Sequence, residues 1–392
     1  MTLYLININY LRYTNLVVFM QNKNIDVYRE LQKHLDKMPV GFPATESGIE
    51  IKLLKHLFTL EQAEIGLKLK FIGEQAKKVH RRLKETGVSL EDLEKKLDEM
   101  YFKGLIYRVT KKNTNTNFYA SAPFVIGMYE FQLNNLTAEF FRDSEQYLHE
   151  AYVRNEYNKS GIPQLRVVPL DQVVNPTQSI TNYDDIKQII ENIGEPIAVM
   201  DCICRKGTDL IGEPCKKTDL RETCLTFRRG ADSFIEKGLA REITKEEAFK
   251  ILEGAKEDGL VLQPGNSLHP MSMCICCGCC CGVLVSQKML PGMSQLFATN
   301  FYAEVDPSIC EGCGTCEERC NLDAVHLENN IAQVDKTNCI GCGVCVPKCP
   351  SGAMELVKKE EETLPPVNTM ATYTTIMDRK AALAREEKSF VC

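Results

Sequence analysis

The sequence predicts a multidomain α+β protein of 392 residues, and three observations lead there. Helical apolar periodicity runs from Glu46 and gives way, before about Phe131, to paired strand-like runs. A mixed stretch of short strands and helices follows, with ten cysteines between Cys202 and Cys281. Eight more cysteines lie between Cys310 and Cys349, in two repeats of C-x2-C-x2-C-x3-C. The expected divisions are an N-terminal extension (1–45), a helix-and-hairpin domain (46–131) and a helical connector (132–183). A cysteine-rich α/β domain (184–299), a C-terminal cysteine module (300–358) and a tail (359–392) complete the chain.

The C-terminal repeats are the most specific signal. They read C-E-G-C-G-T-C-E-E-R-C over 310–320 and C-I-G-C-G-V-C-V-P-K-C-P over 339–350. A zinc site also takes four thiolates, but its ligands usually come as two separated C-x2-C pairs, not as triplets closed by C-x3-C. Over about fifty residues the repeats resemble the bacterial ferredoxin that carries two [4Fe–4S] clusters. That resemblance implies crossed ligation. One cluster takes Cys310, Cys313, Cys316 and Cys349, the other Cys339, Cys342, Cys345 and Cys320. Gly312, Gly314, Gly341 and Gly343 suit a backbone that wraps close to a cluster and turns its N–H groups toward sulfur. Asn321 departs from the family, which usually has Pro after the fourth Cys; the ligands are untouched, and only potential and local packing are affected. Residues 324–327 and 331–334 correspond to the short helix and hairpin of that fold, with His326 a surface residue at a helix end.

Composition narrows the setting. Nineteen cysteines in a secreted chain would mean disulfides. The first 20 residues are apolar but interrupted by Asn7, Asn9, Arg12 and Asn15, and no small-residue cleavage site follows. No apolar run approaches the roughly 20 residues needed to cross a bilayer. The expectation is a soluble cytoplasmic chain without a membrane span, whose thiols bind metal. Met20 opens a more ordinary sequence, so residues 1–19 read as an upstream extension of the reading frame. The formal charge of −6 is uneven: 20 Lys and Arg against 14 Asp and Glu through Asn115, then 27 against 39.

In the front domain, Ile49–Leu57, Ala63–Leu69 and Glu74–Lys84 read as helices. Ser89 with Asp92 opens another, with Leu90, Leu93, Leu97, Met100 and Tyr101 on one face and Gly104 as its stop. Residues 105–109 and 118–120 form a hairpin around a polar loop. Helices followed by such a hairpin look like a winged helix–turn–helix. That fold often binds DNA through its last helix. Here the helix from Ser89 to Lys103 carries five acidic and three basic residues, and an acidic helix is repelled by phosphates. Lys77, Lys78, Arg81, Arg82, Lys84, Lys111 and Lys112 could touch phosphates without reading bases. The reading therefore disfavours DNA and favours a solvated face on a protein-docking or dimerisation module.

Farther on, Met128–Arg154 reads as one long helix, 165–169 as a strand, Asp184–Asn192 as a helix and 197–200 as a buried strand. Thr244 with Glu247 caps a helix that ends at Gly259. Cys202, Cys204, Cys215 and Cys224 have the count for one four-ligand site. Cys274, Cys276, Cys277, Cys279, Cys280 and Cys281 could complete it or make another. Adjacent cysteines point to opposite sides of an extended chain, so Cys276–Cys277 and Cys280–Cys281 could each serve two groups. The two C-C-G runs are similar to the motif of heterodisulfide reductases, but the remaining spacing differs and no residue role carries over. C-I-C-R, C-L-T-F at 224–227 and C-C-G-C-C-C ahead of a ferredoxin module also resemble a group of iron–sulfur proteins of anaerobes. The expectation is one or two further iron–sulfur clusters, with zinc or redox-active thiols as alternatives, and with Arg205, Arg228 and Arg229 offsetting thiolate charge.

The tail holds Glu360–Glu362, Pro365–Pro366, a short exposed helix over 376–388 and a lone Cys392 treated as inert. No G-x-G-x-x-G after a strand, P-loop or HExxH occurs. The sequence thus points to an iron–sulfur electron-transfer protein, or the electron-transfer subunit of an anaerobic oxidoreductase. Its expected partners are redox proteins, in a homo-oligomer or larger complex. A reductase acting on a disulfide or small substrate, and a redox-sensing winged-helix regulator, are the alternatives.

Overall fold

The computed structural model describes residues 27–111, 113–151, 160–170, 183–289, 292, 294 and 297–390. The expected extension over 1–19, Lys112 and Cys392 lie outside them. The chain divides into two compact units, 1–132 and 133–392.

In the first unit, helix α1 (27–36) buries Tyr28, Leu31 and Leu35, so part of the expected N-terminal extension is a packed helix. Helices α2 (Ile49–Leu57), α3 (Leu60–Gly66), α4 (Ala76–Arg82) and α5 (Leu90–Phe102) follow. At the start of α3, Thr59 and Gln62 cap each other reciprocally. Ser89 accepts the Asp92 N–H at the start of α5, a cap that contributes about 1 kcal/mol. α5 buries Leu93, Leu97, Met100 and Tyr101, as its periodicity predicts. Strands β1 (Ile106–Lys111) and β2 (Thr116–Ser121) then pair antiparallel, Ile106 opposite Ser121. The outer side of α5 keeps its acidic character, with Lys95 and Lys96 paired to Glu91 and Glu61. Such exposed pairs stabilise little.

The second unit opens with a correction. The single helix expected over Met128–Arg154 is broken: a 3-10 segment spans Glu130–Asn135, and α6 (Ala138–Tyr147) starts afresh. Thr137 is the cause, because its side chain accepts the Phe140 N–H and caps a new helix. The strand expected at 165–169 exists only as bridges, Leu165 to Gly265, Arg166 to Ala298 and Val168 to Leu262. Pro163 and Pro169 flank it without ladder donors. α7 (Ile186–Asn192) is capped by Asp185.

The core of this unit is a five-stranded sheet of β3 (Ile197–Asp201), β4 (Glu222–Phe227), β5 (Arg241–Ile243), β6 (Val261–Pro264) and β7 (Ser272–Cys276). Its order is β5-β3-β4-β7-β6 and every pairing is antiparallel. The α/β expectation for this domain therefore gives way to α+β, since no strand pair needs a parallel crossover. Ala198, Val199, Leu225, Phe227, Met273 and Ile275 are buried in it. Around it lie α8 (Ile203–Leu210), α9 (Arg229–Glu236), α10 (Lys245–Asp258) and α11 (Gly282–Lys288). α10 starts at the Thr244 cap and stops at Gly259, whose φ is 69°.

The C-terminal module is built from β8 (Phe301–Val305) paired with β11 (Met354–Lys358), and β9 (Val325–Glu328) paired with β10 (Ile331–Val334). Its short helix, α12 (Thr315–Arg319), precedes the hairpin. Residues 325–327 are therefore strand, not helix, and His326 is exposed on β9. Buried Asp184 ties the start of this module down: it pairs with Arg166 and accepts a hydrogen bond from Asn300 at 2.8 Å. α13 (Thr369–Phe390) is longer than the expected tail helix. Among the described residues no helix is long and apolar enough to cross a membrane.

Candidate metal centres

The eight C-terminal cysteines collect into two sets. Cys310, Cys313, Cys316 and Cys349 line one cleft, with Leu327, Ala332 and Met354 among its apolar walls. Gly312 and Gly341 let the loops close: their φ angles are 63° and 62°, and a Cβ on either would lie 2.2 Å from a neighbouring carbonyl oxygen. Backbone N–H groups already aim at sulfur. Ala332 donates to Cys310 at 3.5 Å, Ala303 to Cys339 at 3.4 Å and Ala324 to Cys320 at 3.2 Å.

The second set is Cys320, Cys339, Cys342 and Cys345. Burial pushes the Cys342 thiol up to about 12, and the neighbouring Cys320 and Cys339 thiolates push the same way. Cys345 is also raised, by burial first and then by Cys342, Cys339 and Cys320. Apolar burial beside other thiols opposes ionisation, so such groups bind as thiolates only where a cation compensates them. Four thiols around one cleft, with a backbone N–H aimed at sulfur, are the donor set a four-iron cluster takes.

The central domain also sorts its ten thiols into two groups, by sheet register. Cys224 on β4 stands opposite Cys274 on β7, and Cys276 lies two residues on, on the same face. Cys202 precedes α8, Cys204 lies in its first turn, and Cys281 precedes α11. Sulfur contacts join Cys202 to Cys204, Cys274 to both Cys224 and Cys276, and Cys276 to Cys281. These six form one group. The other is Cys215, Cys277, Cys279 and Cys280, whose sulfurs all lie within 4.8 Å of one another. The expected set of Cys202, Cys204, Cys215 and Cys224 is thus divided, because Cys215 sits on the loop after α8 and faces the 277–280 turn. Cys276 and Cys277 lie in different groups, and so do Cys280 and Cys281.

Arg205 stands between the two groups. It is fully buried and donates to Thr223 Oγ1 and the Ile275 carbonyl. Burial alone would lower its pKa, but the thiolates of Cys202, Cys277 and Cys276 more than offset this and hold it up. Arg228, expected to do similar work, instead donates to the carbonyls of His269 and Pro270 beyond the other end of β4. Arg229 is exposed at the start of α9. Sequence reasoning missed Glu145 on α6. Its carboxyl is pushed up to about 8, by burial first and then by the Cys202 thiolate.

The sequence also understated Asn321. Its side chain is buried, accepts the Gly278 N–H at 2.8 Å and donates to the Gly259 carbonyl at 2.7 Å. A Cβ on Gly278 would lie 2.0 Å from the Asn321 carbonyl oxygen, so the C-C-G-C-C-C turn presses on the residue after Cys320. Proline could make neither side-chain bond. Beside it, Arg319 donates to the carbonyls of Glu257 and Lys256 at the C-terminal end of α10, where the helix dipole favours a cation.

Residues 332–355 match a 4Fe-4S binding domain. No curated protein and no solved structure matches the chain. The match covers the second cysteine repeat, so the chain carries a 4Fe-4S binding domain next to a thiol-rich domain.

Proposed function

We propose that the chain is an iron–sulfur electron-transfer protein, or the electron-transfer subunit of an anaerobic oxidoreductase. In this reading Cys310, Cys313, Cys316 and Cys349 hold one [4Fe–4S] cluster, and Cys339, Cys342, Cys345 and Cys320 hold a second. Such clusters supply one-electron exchange when bound, at potentials anywhere from about −700 to +450 mV. The protein supplies position, N–H···S bonds and apolar walls. The observation that carries the reading is the seam at Asn321. One hydrogen bond joins the residue after Cys320 to Gly278, which sits between Cys277 and Cys279. The two thiol-rich regions therefore meet through a buried amide side chain, the close approach that a relay between them requires. We extend the same reading to the front unit, with 46–131 as a winged-helix-like module that docks a redox partner rather than DNA.

Stepwise reduction of anaerobically purified protein, followed by EPR, tests this. Spectra of at least two interacting reduced clusters are the expected outcome, and an EPR-silent, colourless protein would sink it. A second reading, a reductase working at the central domain, draws support from the six-thiol group. It holds more thiols than one four-iron cluster needs, with Glu145 close by. Turnover of a disulfide by the reduced protein would favour that reading over simple transfer.

A further inference from the structure

Cys215, Cys277, Cys279 and Cys280 differ in kind from the other thiol sets. Their closest sulfurs are 3.6 Å (Cys215–Cys277), 3.7 Å (Cys215–Cys279) and 3.6 Å (Cys279–Cys280) apart, and no pair exceeds 4.8 Å. Four thiolates around one ion at about 2.3 Å form a tetrahedron with edges of about 3.8 Å. Four irons at alternate corners of a cube each carry their own thiolate outward, which spreads the outer sulfurs well beyond such an edge. Here three ligands come from four consecutive residues, and the fourth closes over them from the loop after α8. Sulfurs this close leave space for one metal and none for the bridging sulfides of a cluster.

We propose that these four cysteines form a closed tetrathiolate site for a single tetrahedral ion, zinc or iron. This holds whether or not the C-terminal module carries electrons. The surroundings are those of a built site. The Lys217 N–H reaches Cys215, the Lys216 N–H reaches Cys279, and Thr208 Oγ1 lies 3.5 Å from the Cys280 sulfur. Four thiolates on a divalent ion leave two negative charges, and the buried Arg205 beside Cys277 faces them. Because Gly278 in the same turn receives Asn321, an ion here also fixes the seam against which the C-terminal module rests. Zinc would make the site a staple; iron would make it a one-electron relay as well.

Metal and sulfide analysis of the full chain, purified without oxygen, tests the assignment in wild type, C215S and C279S. Each variant is expected to lose one metal ion per chain and no inorganic sulfide, with the EPR signals of the C-terminal module unchanged. X-ray absorption at the zinc and iron edges of the wild type tells the two ions apart. Cobalt supplied to the wild-type chain should show the visible bands of a tetrahedral thiolate complex, and these should be missing from C215S. The wild-type cobalt bands need no variant, so their absence would count against the site even where C215S and C279S fold poorly. Loss of about four irons with matching sulfide in C215S, or an unchanged metal content, would overturn the proposal. Failure of the electron-transfer reading would show separately, as missing C-terminal EPR signals in the wild type.

Discussion

The C-terminal module and the central domain hold their thiols in opposite ways. In the module Cys310, Cys313, Cys316 and Cys349 stand around the walls of a cleft. In the central domain the sulfurs of Cys215, Cys277, Cys279 and Cys280 crowd one another within 4.8 Å. A contiguous loop sets cluster geometry by itself, so its spacing can be read from the chain. The six-thiol group, gathered from strands and helix starts, takes its geometry from the sheet, so its spacing along the chain says little.

The largest effect that would sharpen this contrast comes from single ligand losses. C339A should cost the protein about four irons and their sulfides, a whole cluster, where C215S costs one ion. Equal losses in the two variants, read by metal analysis, would erase the difference.

Arg205 comes next. Replacing it with Met leaves the central thiolates without their buried cation and strips a hydrogen bond from the Ile275 carbonyl. A destabilisation of about 3–5 kcal/mol is expected from breaking such a buried pairing. Anaerobic denaturant unfolding measures it, and a change below 1 kcal/mol, on the order of an exposed pair, would show that the thiols need no such counter-charge.

Asn321 should give a loss of similar size. N321A leaves the Gly278 N–H and the Gly259 carbonyl unpaired, which costs about 1–3 kcal/mol each when buried. The metal count should hold while electron exchange between the regions slows. Lys348 supplies the control at the same seam. Its pair with Glu257 is exposed, so K348A should shift stability by less than about 1 kcal/mol. If K348A matched N321A, the seam would depend on surface charge rather than on the buried amide.

These residues also show what the sequence carried. The caps at Ser89 and Thr244 and the stop at Gly259 were legible because capping is local chemistry. The 4Fe-4S binding domain over 332–355 was legible too, because the spacing of its cysteine repeat is local along the chain. The partition of the central ten was not. Cys224 meets Cys274 through strand register across 50 residues, and Cys215 meets Cys277 across 62. The break before α6 was hidden because the apolar spacing runs through Thr137 without interruption, while a single cap decides the start. Asn321 looked like a local departure from a family pattern, and its partners at Gly259 and Gly278 become visible only once α10 and the cysteine turn are placed.

Iron and inorganic sulfide quantified together on oxygen-free wild-type protein address the central claim most directly. The account predicts at least about eight of each per chain, with a brown colour that bleaches on reduction. Protein that came out colourless, with zinc or no metal on Cys310–Cys349, would contradict it.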